Sequence, residues 1–236
     1  MRNWLKNLVK KSPVLLRVYH YAIRKNDISK RIIKGSNNTI DVHYSASLDR
    51  CSFNIKGDNN TIEVHELSHL RNFSFYIRGN NNHIQLSRGV RFNRGGSIWI
   101  EDVDCVARIG DHTTFEDTHI ALTEPGSKIE IGSDCMFAND IDIRTGDSHS
   151  IMDNATRKRI NYAQNVVIGD HVWVAPHVSI LKGVHIGSNS VVATRTVVAR
   201  SFPEQNIVIA GMPAKKINEN ISWDRQRIYD REFAIG

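Results

Sequence analysis

The chain has 236 residues, 40% of them hydrophobic and 24% charged, with a formal net charge of +6, long enough for one elongated domain with appendages or for two small ones. No apolar run approaches the ~20 residues needed to span a bilayer, and the first residues are too interrupted for the apolar core of a signal peptide, so the chain is expected in the cytoplasm. Cys51, Cys105 and Cys135 are odd in number and far apart, with no C-x-x-C pair, which argues against a disulfide framework or a thiolate metal site and for a reducing compartment.

Residues 1–34 hold ten Lys or Arg against one acid, Asp27, an asymmetry that points to an anionic surface or ligand. Residues 1–26 read as helical, with Trp4, Leu5, Leu8 and Val9 on one face. Ser12 is placed to cap a second helix, and Pro13 stands at its first position. The segment 1–31 is expected either to cap the open end of a repeat stack or to lie on anionic lipid at the inner membrane face. The cap is favoured because repeat stacks need closed ends.

A repeat with a period of about 22 residues follows, a length in the range of stacked-coil architectures. IKGSNNTIDVH (33–43), IKGDNNTIEVH (55–65) and IRGNNNHIQLS (77–87) align Gly35, Gly57 and Gly79 in one column. Asn37, Asn59 and Asn81 fall in a second column, and Asn38, Asn60 and Asn82 in a third. Stacked Gly and Asn suit tight turns with positive φ, and aligned amides can hydrogen-bond up a stack. A structural ladder is favoured over a sugar-binding one. The same spacing recurs at Ile109-Gly110 and Ile131-Gly132.

From 168 the period shortens to six. Ile168, Val174, Ile180, Ile186, Val192 and Val198 head successive hexads, a spacing that neither a helix of period 3.6 nor a strand of period 2 produces. Each hexad makes one short flat strand and a turn, three close a coil of about 18 residues, and neighbouring coils satisfy each other's backbone groups. One aliphatic per hexad points inward, with a small residue at its fifth position; Cys135 occupies such a position in the hexad 131–136. The expected class is all-β, a parallel β-helix over 32–203 with short N-terminal and C-terminal helical caps. The longer coils run to about 143 and hexads fill 166–203.

Residues 144–165 break this period. A stretch of about 20 residues expelled from a compact repeat tends to be functional. It holds His149, whereas His112, His171, His177 and His185 fall at repeat turns and are expected to be solvated. Residues 204–236 read as a turn followed by a short helix over 218–233.

The hexads, MFANDIDIRTGDSHSI (136–151), IGDHVWVAPHVSILKGVHIGSNSVV (168–192) and IAGMPAKKI (209–217) together resemble the left-handed β-helix hexapeptide acyltransferases. Within them the likeness is to the maltose and galactoside acetyltransferase-like group with its polysaccharide O-acetyltransferases. It covers roughly 129–217 and implies a left-handed coil, acetyl-CoA as co-substrate, no metal, and a homotrimer with each site between adjacent prisms. It also implies that His149 is the general base, with Asp147 orienting it or contacting the acceptor, and that Asn139 and Arg144 meet the saccharide. Trp173 and Ala175 would line the thioester and pantetheine end, with the Ala175 amide as oxyanion donor. Lys182, Thr194, Arg195 and Lys215 would lie towards the nucleotide phosphates. Two stretches depart from the pattern: ATRT (193–196) replaces the usual G-A-G-S, and APH (175–177) the usual small residues.

The expected function is therefore acetyl transfer from acetyl-CoA to a sugar hydroxyl of a cell-surface polysaccharide or its lipid-linked precursor, with no role for nucleic acid. The runner-up is an amino-sugar N-acetyltransferase. A carbonic-anhydrase-like metal β-helix would need a third partner for His171 and His177, and a non-catalytic scaffold would have no use for TGDSH.

Overall fold

A computed structural model describes residues 29–229, together with Val14. The expected N-terminal helices lie outside the described residues. From Lys30 the chain winds as a parallel β-helix with three faces. Face I carries Ser47–Asp49, His69–Arg71, Met136–Phe137, Trp173–Val174, Val191–Val192 and Ile207–Ala210. Face II carries Lys30–Lys34, Ser52–Lys56, Phe73–Arg78, Ile141–Arg144, Ser179–Ile180 and Val197–Val198. Two long strands, Arg91–Ile100 and Thr114–Leu122, run across both faces and join them into one sheet. Face III is a separate seven-stranded sheet from Thr39–Val42 to His185–Ile186.

The register shows where the coil length changes. In the first coils Ile62 pairs with Ile84, the same step that separates the ladder partners Asn59 and Asn81, whose |i−j| is 22. In the last coils Ile168 pairs with Ile186 and Val174 with Val192, the shorter step that links Asp170 to Ser188, whose |i−j| is 18. Between these regimes Ile131 pairs with Ile168 and Ile143 with Ile180, a step that matches Ser133 to Asp170, whose |i−j| is 37. That long step is one narrow coil plus an expelled segment of nearly equal length.

The core follows the same division. In the wider coils Phe92, Phe115 and Phe137 stack from coil to coil at 4.2 and 4.6 Å, and Phe53 stacks on Phe75 at 4.8 Å. Above Phe137 the column continues as Val174, Val192 and Ile209, smaller residues in narrower coils. The fifth hexad positions Val172, Val178, Val184, Ser190 and Thr196 are all buried, as is Cys135. Burial pushes the Cys135 thiol up to about 12.

The asparagine ladder is present. Asn37 donates to Asn59, Asn59 to Asn81 and Asn81 to Asp104, at 3.1–3.2 Å. Asn60 is fully buried and donates to Asn38 Oδ1 and to the Gly79 carbonyl, while its own Oδ1 accepts from the Asn82 side chain and N–H. Gly57 sits at φ +136, and a Cβ there would lie 1.9 Å from the Gly79 carbonyl oxygen. The coil spacing therefore admits only glycine in this column.

Among the described residues the expected C-terminal helix over 218–233 is not found. Lys215–Glu219 is a strand antiparallel to Ile207–Ala210, and 220–229 is irregular. Its residues are held by contacts to distant coils, which override a helical preference. Of the turn histidines, His112, His177 and His185 are exposed as expected, His177 with a hydrogen bond from its Nδ1 to Asp140 at 2.6 Å, whereas His171 is half-buried and bonded through Nδ1 to Asp134 at 2.8 Å.

Candidate active site

The expelled segment 145–165 leaves at the end of face II and returns to face III at Val166. Its base is tied into the stack: Thr145 is buried and donates to the Thr123 carbonyl, and the Gln164 N–H donates to the Thr145 carbonyl at 2.9 Å. Its tip is a small antiparallel turn in which Met152 pairs with Arg159 and Asp153 caps Thr156.

The centre of the loop is Asn161, buried to 6% exposure. Its Nδ2 donates to Asp147 Oδ2 and to the His149 carbonyl, both at 2.8 Å, and its Oδ1 accepts the Ile151 N–H at 2.7 Å. Arg159 braces it through Nε at 3.1 Å and is itself paired with Glu124 of the stack. The His149 N–H donates to the Asp147 carbonyl at 2.8 Å. The backbone of His149 is thus held on both sides while its side chain is exposed. Asn161, Arg159 and Glu124 were not singled out from the sequence, because the contact between Arg159 and Glu124 spans 35 residues and exists only once the coil closes.

Asp147 does not orient the imidazole. Its carboxylate pairs with Lys182 and accepts from Asn161, and the Lys182 ammonium, followed by the Asn161 amide, holds it below the usual carboxylate range. Lys182, expected among the cofactor phosphates, is engaged with Asp147 and with the Asn161 carbonyl at 3.1 Å.

Beside this loop, on the outward side of face II, lies a cavity of about 280 Å³ lined by Trp99, His119, Ala121, Arg144, Gly146 and Ser148. Ala121 pairs with Trp99 on one side and Arg144 on the other, so a small side chain between two large ones opens the hollow. Arg144 is bidentate on Asp142 at 2.7 and 2.8 Å, which holds its guanidinium flat and raises its already high pKa. His119 meets Ser97 Oγ at 2.6 Å. Burial pushes its pKa below that of a free imidazole, with Asp142 opposing and Arg144 adding to the effect. His119 sits inside a regular strand, and no motif marks it in the sequence.

The remaining candidates lie elsewhere on the prism. Trp173, 36% exposed, and Ala175 are on and just after the upper strands of face I. The Ala175 N–H donates to the Val192 carbonyl at 2.9 Å; it is spent in the ladder and is not free as an oxyanion donor. Asn139, His177, Thr194 and Arg195 share the corner between faces I and II. There the His177 N–H donates to the Asn139 carbonyl, Thr194 Oγ1 donates to the Pro176 carbonyl, and Arg195 holds φ +57. Lys215 is exposed on the terminal antiparallel strand. Within one chain, no hydrogen bond, ion pair or ring contact among the described residues joins His149 to Trp173, Ala175, Thr194 or Arg195.

Comparison with known proteins bears on the whole arrangement. A family model described as "Bacterial transferase hexapeptide (six repeats)" matches residues 165–200. The chain is 37% identical over 117 residues to a polysialic acid O-acetyltransferase of Escherichia coli O1:K1, an alignment covering 50% of this chain and 38% of that protein. It is 37% identical over 130 residues to a polysialic acid O-acetyltransferase of Neisseria meningitidis, covering 55% of this chain and 60% of the relative. The matched part thus spans less than two thirds of either relative. The solved structure of a polysialic acid O-acetyltransferase superposes with a TM-score of 0.79 at 34% identity, over 86% of this chain and 93% of that one. The chain therefore belongs to the hexapeptide-repeat acetyltransferases and shares their left-handed parallel β-helix.

Proposed function

We propose that this protein is an acetyl-CoA-dependent O-acetyltransferase that modifies a sugar hydroxyl of a cell-surface polysaccharide or its precursor, with His149 as general base. The observation that carries this reading is the pairing of a backbone-clamped, side-chain-exposed His149 with an adjoining hollow of saccharide size. A base fixed in position with an open ring is what proton removal from an incoming hydroxyl requires. The hydroxyl oxygen attacks the thioester carbonyl as His149 takes its proton. The tetrahedral intermediate then expels the CoA thiolate, which recovers the proton from the imidazolium, leaving a sugar ester and free CoA. The polysialic acid O-acetyltransferases to which the chain is similar support a polysaccharide acceptor.

The reading includes a cytoplasmic homotrimer. His149 stands on the loop after face II, whereas Trp173 and Ala175 stand on face I; a site built from both is completed when the loop of one copy meets face I of another. In this arrangement Trp173 lines the acetyl-CoA groove, Arg144 and His119 meet the acceptor, and Asp147 with Lys182 braces the loop. Release of CoA thiol from acetyl-CoA in the presence of polysaccharide is expected for the wild type. His149→Ala should lower it by about 10²- to 10⁴-fold. Turnover that survives this substitution removes His149 from the role of base, and mass spectrometry of the product separates ester from amide.

A further inference from the structure

The segment after the terminal strand does not leave the molecule. It turns back along the corner between faces III and I. Ile221 exchanges hydrogen bonds with this corner at Asn206, through Ile221 N–H to the Asn206 carbonyl and Asn206 Nδ2 to the Ile221 carbonyl, both at 3.1 Å. Trp223 then lies flat on the His171 imidazole, ring centroids 4.1 Å apart at 11°. Its Nε1 donates to the His171 carbonyl at 2.8 Å, and its own carbonyl meets His171 Nε2 at 3.1 Å. His171 Nδ1 is bound to Asp134, so both ring nitrogens are engaged. Two residues on, Arg225 reaches Asp134 Oδ1 at 2.9 Å, the Cys135 carbonyl at 2.8 Å and Thr114 Oγ1 at 2.9 Å. The segment 221–225 thus runs past the coils of Asn206, His171, Asp134 and Thr114, crossing the strands rather than joining them.

This route brings the Trp223 indole against Trp173, with centroids 6.1 Å apart and planes tilted by 45°. Trp173 projects outward from a two-residue strand and is 36% exposed. The neighbours paired with it in the ladder are Met136 and Val191, neither of which presents a flat ring. We propose that residues 221–226 form a strap whose Trp223 holds the Trp173 indole in the orientation that lines the donor groove, which makes Trp223 a positioning residue for acetyl-CoA. The inference rests on the acetyl-transfer reading given above. A ring clamped through its nitrogen, its face and its own carbonyl supplies a fixed wall, and a neighbouring indole that packs on a fixed wall loses little rotamer freedom when the donor arrives.

The test is steady-state kinetics of Trp223→Ala, Trp223→Phe and Arg225→Gln, with direct titration of CoA onto each protein by calorimetry. Trp223→Ala is expected to raise KM for acetyl-CoA roughly 3- to 10-fold and to weaken CoA binding by the same factor, with kcat and the acceptor KM within about twofold. Trp223→Phe, which keeps a ring on His171, should recover most of the affinity. Arg225→Gln, which removes the anchors on Asp134, Thr114 and Cys135 and the guanidinium 6.0 Å from the Trp223 ring centroid but leaves the stack of Trp223 on His171, should show a smaller shift of the same kind. Unchanged donor KM and CoA affinity in Trp223→Ala, with only a lower Tm, overturns the proposal and leaves the strap a staple. A fall in kcat with an unchanged donor KM overturns it as well. A wild type that binds CoA in the Trp223-dependent manner but acetylates no saccharide sinks the O-acetyltransferase reading and upholds the strap. A wild type that binds no CoA sinks both.

Discussion

Asn161 shows how a single buried amide can serve a residue far along the same loop. It spends both amide hydrogens on Asp147 and the His149 carbonyl and its oxygen on the Ile151 N–H. Its removal therefore leaves a carboxylate and two backbone groups short of partners at once. Asn161→Ala is expected to destabilise the loop by about 1–3 kcal/mol, read as faster hydrogen exchange over 147–161, and to lower turnover while the far-ultraviolet spectrum stays that of the wild type. Asp147 adds a pH signature. Its folded pKa lies below the unfolded value because Lys182, and then Asn161, favour the ionised form. The brace is fully present above the ordinary carboxylate range and is lost as pH falls through the folded value. Loop protection should be flat from pH 5 to 8 and collapse only in stronger acid; a decline between pH 8 and 6 would point to a different titrating group. The place of His149 on an expelled loop was legible in the sequence because its segment breaks the period, and its proposed role came from the resemblance of TGDSH to the family's histidine loop. Its supports were not legible, since Asn161, Arg159 and Glu124 become neighbours only through coil closure, and the amide of Ala175 was misassigned because sequence cannot show which N–H groups the ladder consumes.

At the level of the coil, the spacing of the repeat already carried the geometry. Aligned Gly57 and Gly79 announced a close backbone approach, and the three asparagine columns announced the ladder. The sequence did not separate the columns by worth. Asn59 and Asn81 are partnered at an exposed corner, where water competes for the same bonds, whereas Asn60 is fully buried, its side chain bonded to Asn38, Gly79 and Asn82. Thermal or urea unfolding should therefore find Asn60→Ala costing about 2–4 kcal/mol and Asn59→Ala less than about 1 kcal/mol. Equal losses would mean that the buried column is no more than a second surface ladder. The C-terminal segment was misread for the opposite reason. NENISWDRQRIYDREF has helix-forming composition, and nothing local in it shows that Trp223 and Arg225 are bound by His171 and Cys135, far earlier in the chain.

For the molecule as a whole, the separation of His149 from Trp173 within one chain makes self-association a quantitative matter. Sedimentation equilibrium is expected to return three times the 26.8 kDa chain mass. A monomer that turns over acetyl-CoA at full rate would break the shared-site arrangement. The direction in which copies join is constrained by how the stack ends. A parallel solenoid exposes at its last coil the backbone groups that would accept another coil, and so another molecule. Here Lys215–Glu219 lies across the end of face I in the opposite sense, fully exposed, with Lys216 paired to Glu219. The uppermost strands of faces II and III are only two residues long. A reversed, charged closing strand beside two very short ones offers an incoming coil no parallel template. Growth by end-to-end addition, the route by which stacked β-structure becomes a filament, is blocked at that end by a single change of chain direction.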